Sequence, residues 1–152
     1  MTAQNHALTG AFIGLTVNEP WLAVPLAFLS HFACDAIPHH DPPGGEKRVT
    51  TKRFIFEYLV GGAALCLLLV IILAYTKPHN WLLACICAFI ATSPDLFWIP
   101  RFIKWVRSGK DHMPKGWFFW FHDWIQWKTG PQFWWVEAIW FIVFGTLVAA
   151  RL

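Results

Sequence analysis

Apolar residues run through the chain in long blocks, broken by Pro, Gly and clustered charge. The first block, residues 5–16, stops at "NEP". At ~1.5 Å per residue it is too short to cross ~30 Å of hydrocarbon, so it reads as a half-spanning or re-entrant helix. Its "GAFIG" sets Gly10 and Gly14 four apart, a small-residue face that lets another helix approach closely. A second helix is expected over residues 21–38, ended by Pro38. The third, residues 53–75, is the clearest span, because "LVGGAALCLLLVIILAY" carries no charge. The fourth covers "NWLLACICAFIATSPDLFW", with a break expected at Ser93-Pro94-Asp95 because proline removes a backbone donor. "RFIKWVRSGK" alternates apolar and basic residues, the pattern of an interfacial amphipathic stretch. "GWFFWFHDWIQWK" forms the fifth helix and residues 132–151 the sixth. The pattern predicts an all-α integral membrane bundle of about six helices, some short or re-entrant, in one domain over residues 1–152.

Composition strengthens the membrane reading. The 152 residues are 57% hydrophobic and 14% charged, against about 25% charged in a soluble domain. Mean hydropathy is +0.45. Eleven Trp and fourteen Phe fit, since aromatic side chains collect at membrane–water interfaces. The four cysteines lie inside apolar blocks without a CxxC pair and read as small buried hydrophobes. The N-terminus lacks the basic region of a cleavable signal peptide.

Charge sets the expected topology. Lys47, Arg48, Lys52 and Arg53 follow helix two, and Arg101, Lys104, Arg107, Lys110 and Lys115 follow helix four. The opposite connections carry only Lys77 and Lys128. Both basic loops are therefore expected to face the cytoplasm in a multi-pass chain. The ends of four segments then reach one layer, bringing His6, His31, Asp35, His39, Glu57 and Asp95 to the same depth.

In helix two, His31, Asp35 and His39 fall four apart and form a stripe. Ionisable groups at the end of an apolar helix are costly unless paired, so they point to function. Imidazole and carboxylate suit zinc or, with more oxygen donors, manganese or iron. Asp95 is either a further ligand or an N-cap, and the ligand reading is preferred because no basic partner lies near it in sequence. Glu57 either acts as a base or pairs with Arg53. His40 and Asp41 either bind a metal or move a proton, or form a solvated cap after the helix. In "FWFHDWIQW", His122 reads as ligand or general acid/base, with Gln126 four residues on to orient it or the substrate. Glu137, deeper in the last helix, is expected to contact His122 or a neighbouring helix. No GxSxG, phosphate-binding glycine loop, HExxH or dinucleotide fingerprint is present.

With these residues the chain resembles the family of inner-membrane-associated, metal-dependent hydrolases. Its members open with a "tHaltGaxxG"-like segment, matched here by "NHALTGAFIG". They carry an "LSHxxxDxxPH"-like helix, matched by "LSHFACDAIPHHD", and a "PD" after an apolar helix, matched by "SPDLFW". Many also have "PDxD", whereas "LFW" follows Asp95 here, and an "HRxxxHS" segment whose nearest counterpart here is "FHDWIQ". A more distant similarity is to zinc-dependent phospholipase C, and it extends only to the His-x3-Asp pair, His31 and Asp35.

The expected function is metal-assisted hydrolysis of a phosphoester or phospholipid-like amphiphile at the cytoplasmic interface. A divalent metal, zinc by preference, is expected on His6, His31, Asp35 and Asp95. His39, His122 and Glu57 are the catalytic candidates, and His40, Gln126, Arg101 and Lys104 the substrate-binding ones. The Arg101–Lys110 stretch suits anionic head groups. Membrane lipids and the amphiphilic substrate are the expected partners, with homo-oligomerisation open and no nucleic acid. The alternative is a non-catalytic scaffold with a structural metal, its coordination filled by protein. A metal or proton transporter ranks last, because helix three offers no polar path beyond its ends.

Overall fold

In a computed structural model, residues 1–40, 60–108 and 115–152 are described. They form seven α-helices: α1 (Ala3–Thr16), α2 (Pro20–Asp35), α3 (Gly61–Thr76), α4 (Trp81–Leu96), α5 (Ile99–Ser108), α6 (Trp117–Ile125) and α7 (Trp134–Ala149). A 3₁₀ turn, Pro131–Phe133, leads into α7. The all-α expectation holds, and the amphipathic basic stretch forms a helix of its own.

The shortest of the expected spans is the hub. α1 packs against α2, α3, α4 and α7, and Ala7, Leu8, Ala11 and Leu15 join Leu69, Leu73, Ala84, Ala88 and Val148 in the main apolar cluster. Its approach to α4 is closer than a side chain allows. A Cβ on Gly10 would stand 2.7 Å from Ala91 Cβ and press on the Cys87 carbonyl oxygen. One on Gly14 would meet the Ala84 Cα at 2.5 Å. The Gly10/Gly14 face was legible in sequence, and Ala84, Cys87, Ala88 and Ala91 are its small-residue counterpart on α4.

Two helix ends depart from expectation. α2 stops at Asp35, three residues before Pro38. A residue preceding proline is pushed out of the α region and proline offers no N–H, so residues 36–40 leave the helix. This strap is latched to the segment after α6. Trp127 Nε1 donates to the Ala36 carbonyl at 2.9 Å. The Gly130 N–H donates to the His39 carbonyl at 3.1 Å, and His39 and Thr129 form an isolated parallel bridge. His39 is therefore not the third member of a helical stripe. Conversely, the break expected at Ser93-Pro94-Asp95 is absent, since α4 runs through Pro94 to Leu96. Proline removes the donor that would bond the carbonyl four residues back, and Ser93 Oγ replaces it by donating to Ile90 O at 2.8 Å. Asp95 thus sits in the last turn of a continuous helix.

A cluster of polar residues is buried, and several large apolar residues are exposed. Asn5, His6, Thr9, His31, Asp35, His39, His122 and Glu137 are buried, while Leu67, Leu68 and Ile71 of α3 and Phe141, Ile142 and Val143 of α7 are exposed. Among the described residues, one stretch, Pro131–Ala149, is long and apolar enough to cross a membrane. α3 and α4 are apolar with 16 residues each, about 24 Å at ~1.5 Å per residue. The positions expected to extend the third helix on its N-terminal side lie outside the described residues.

The α1–α4 contact predicts the outcome of two glycine substitutions. Gly10→Val forces a branched side chain against backbone that cannot yield, and destabilisation of about 3 kcal/mol or more is expected. Gly145→Ala meets nothing within 4 Å and is expected to be neutral or slightly stabilising. Thermal unfolding of both variants checks the pair.

Candidate metal centre

Four helices and the strap bring their polar groups to one buried point, the carboxylate of Asp35. α1 supplies His6, whose Nε2 lies 3.2 Å from Asp35 Oδ1. His31, one turn before Asp35 on α2, sets its Nε2 3.2 Å from Oδ2. α6 supplies His122, with Nε2 3.5 Å from Oδ2, and the strap supplies His39, with Nε2 3.9 Å from Oδ1. At the end of α4, Asp95 Oδ1 stands 3.7 Å from His31 Nε2 and 3.8 Å from His122 Nε2. The α-ammonium of Met1 lies 2.5 Å from Asp35 Oδ1, both groups fully buried. One ligand atom each from His31, Asp35, Asp95 and His122 lies within 4.8 Å of the others.

Hydrogen bonds on the far side of each ring decide which nitrogen faces the centre. His31 Nδ1 is 2.8 Å from the Ala91 carbonyl, which can only accept, so Nδ1 carries the proton and Nε2 presents a lone pair. His39 is held the same way, its Nδ1 donating to Ile37 O at 2.8 Å. This is how metal-ligating imidazoles are usually fixed. His122 is the reverse. Trp98 Nε1 can only donate, and it points at His122 Nδ1 from 3.3 Å. The Gln126 amide nitrogen stands on the same side at 3.5 Å. The His122 proton is therefore on Nε2, which faces His31 Nε2 at 2.9 Å. That is a hydrogen-bond distance, shorter than the ~3.3 Å between ligands of a tetrahedral metal with 2.0–2.1 Å bonds. Burial lowers the His122 pKa to about 4 and that of His39 as well.

The donor set fits a divalent metal. Neither ring nitrogen of His6 has a hydrogen-bond partner, although the residue is fully buried and stacked on His31 with centroids 4.1 Å apart. An unsatisfied buried imidazole is costly, and coordination removes that cost. Donor separations of 3.2–3.9 Å among His6, His31, His39, Asp35 and Asp95 bracket the tetrahedral spacing. Phe32, Trp98 and Phe118 wall the imidazoles off, with ring centroids 5.2–6.0 Å away.

The remaining sequence candidates divide. Gln126 reaches the centre directly, its amide donating to Asp35 Oδ2 at 2.9 Å. Arg101 is one side chain removed, its guanidinium lying over Trp98 at 5.1 Å. Lys104 is exposed on α5, and His40 is half-buried in the strap. Glu57 lies outside the described residues. Glu137 contacts α1 rather than His122. Its Oε2 accepts from Thr2 Oγ1 at 2.7 Å and from Asn5 Nδ2 at 2.6 Å. It thereby places a carboxylate at the positive end of the helix that carries His6. Sequence reasoning missed Trp98, Ala91 O and the Met1 amine, and only Trp98, three residues after Asp95, left a signal there.

No protein family, curated protein or solved structure matches the chain.

The ring assignments predict a spectroscopic result. In chelator-treated protein at pH 6, His122 is expected to be neutral and protonated on Nε2 by nitrogen-15 NMR. Trp98→Phe is expected to release Nδ1 and let both tautomers appear.

Proposed function

We propose that the protein is a membrane-embedded, metal-dependent hydrolase that cleaves a phosphoester in an amphiphilic, phospholipid-like substrate at the cytoplasmic face of the inner membrane. The observation that carries this reading is the split in imidazole orientation around Asp35. His31 and His39 turn lone pairs inward, whereas His122 turns an N–H inward. A site that only stored a metal would need no such donor.

His6, His31, Asp35 and Asp95 are the residues assigned to hold the metal. Bound there, a divalent ion, zinc for preference given its nitrogen and oxygen donors, supplies a water of lowered pKa and polarises the phosphoryl group. His39 acts as general base, taking the proton at Nε2. Its Nδ1–H is already satisfied by Ile37 O, and Asp35 stands beside Nε2 to stabilise the resulting cation. His122 stays neutral and donates its Nε2 proton as a hydrogen bond to the negative charge developing on the phosphoryl oxygens. Trp98 keeps it in that tautomer, and Gln126 donates to Asp35 Oδ2.

The membrane reading is supported by the buried polar interior, the exposed apolar faces of α3 and α7, and the span Pro131–Ala149. Multi-pass topology rests on the hydropathy of α3 and α4 and on the basic segments expected on the cytoplasmic side. Resemblance to the inner-membrane-associated hydrolases, through "NHALTGAFIG" and "LSHFACDAIPHHD", supports the same assignment.

One observation favours a second reading, a scaffold with a structural metal. His31, Asp35, Asp95 and His122 make four donors within 4.8 Å, the number that closes a tetrahedral zinc. Kinetics separate the two readings. For the hydrolase, zinc-loaded protein turns over phospholipid or another phosphate ester in a hydrolysis screen. His122→Phe then keeps its metal and loses about 10²–10³-fold in kcat. His39→Gln keeps its metal and loses about 10²–10⁴-fold. Full metal occupancy without turnover on any phosphoester, together with metal loss in His122→Phe, establishes the scaffold instead.

A further inference from the structure

We propose that an apolar groove between the strap and α7 seats one hydrocarbon chain of the substrate, with its polar end delivered to His39. The proposal rests on the hydrolase reading and narrows the substrate to a chain-bearing amphiphile. The groove has a volume of about 280 Å³. Ile37 and Pro38 form one wall, Val136, Ile139 and Trp140 the other, and Trp135 lies alongside.

Its chemistry selects the occupant. Every lining side chain is apolar, and the indole N–H of Trp140 is committed to Thr9 Oγ1 at 2.9 Å. A peptide laid there would leave backbone N–H and C=O groups without partners, and a phosphate would lose its hydration with nothing in exchange. An α-helix, about 10 Å across, asks for more room than a volume just below the usual 300–1,000 Å³ ligand range offers. A single alkyl chain asks for no hydrogen bonds and fits a narrow apolar slot.

Its position ties it to the metal centre. The strap wall leads within one residue to the centre. Pro38 is followed by His39, 2% exposed, whose Nε2 lies 3.9 Å from Asp35 Oδ1. The strap wall is held in place by Trp127 and Gly130. Trp134 and Trp135 stand half-exposed or more beside it, as aromatic residues do at the level of lipid head groups. A lipid chain lying along the strap therefore ends beside the proposed base.

Photo-cross-linking tests this without requiring turnover. The full-length protein is placed in phosphatidylethanolamine/phosphatidylglycerol nanodiscs containing a phospholipid with a diazirine near the end of one acyl chain. After irradiation, adducts are mapped by mass spectrometry, and zinc content is measured on the same sample. Adducts concentrated on Ile37, Ile139 and Trp140, and reduced in Ile139→Trp to the level seen on the outward face of α3, support the groove. Val136→Phe, which fills it from the inner wall, provides a second variant, and unchanged zinc content shows that each variant keeps its site. Adducts spread evenly over α3 and α7, and unaffected by either substitution, overturn the proposal. The hydrolase reading fails separately: groove-specific adducts with no phosphoester turnover leave a lipid-binding groove beside an inactive centre. Equal turnover of chainless and long-chain phosphate esters without groove adducts leaves the hydrolase and removes the groove.

Discussion

The structure is organised around a carboxylate that has no access to water. A buried charge is tolerated only when it is paired and hydrogen-bonded, because the desolvation penalty amounts to several kcal/mol. Asp35 meets that demand from well-separated parts of the chain: the Met1 amine pairs with Oδ1 and the Gln126 amide donates to Oδ2, while the His6, His31 and His122 rings close round the two oxygens. Each of these groups lies on a different turn or helix, so satisfying one side chain fixes how α1, α2 and α6 meet. Asp95 then adds a second carboxylate at the end of α4.

Such convergence requires the helices to come unusually close. Gly10 and Gly14 let α1 lie against the backbone of α4, and that contact carries His6 toward the centre while the Ala91 carbonyl orients His31. The Glu137 carboxylate holds the first turn of α1 from the other side. Small residues build the scaffold here, and aromatic ones insulate the centre. Many large aliphatic residues of α3 and α7 are turned outward.

Much of the centre was legible in sequence for one physical reason: ionisable residues inside apolar segments are expensive, so His6, His31, Asp35, Asp95 and His122 stood out. Spacing explained the rest of the local geometry, including His31 and Asp35 one turn apart and His122 and Gln126 likewise. Long-range pairing was not legible. Nothing in "AIPHH" announces that residues 36–40 will be latched to Trp127 and Gly130, so spacing alone puts His39 on a helix that ends before it. Proline at 94 suggested a break because the rescue by Ser93 Oγ depends on a rotamer rather than a residue type. The tautomers of the three imidazoles depend on Ala91 O, Ile37 O and Trp98, partners that only the fold brings close.

The central claim is that Asp35 and the imidazoles around it hold a metal ion. X-ray absorption spectroscopy on purified protein, with metal quantified per chain in wild type and in Asp35→Ala, tests it most directly. The account predicts bound zinc with mixed imidazole and carboxylate ligation in the wild type, lost when Asp35 is removed. A wild type that carries no metal after zinc loading, or an Asp35→Ala variant with unchanged content and ligation, would contradict it.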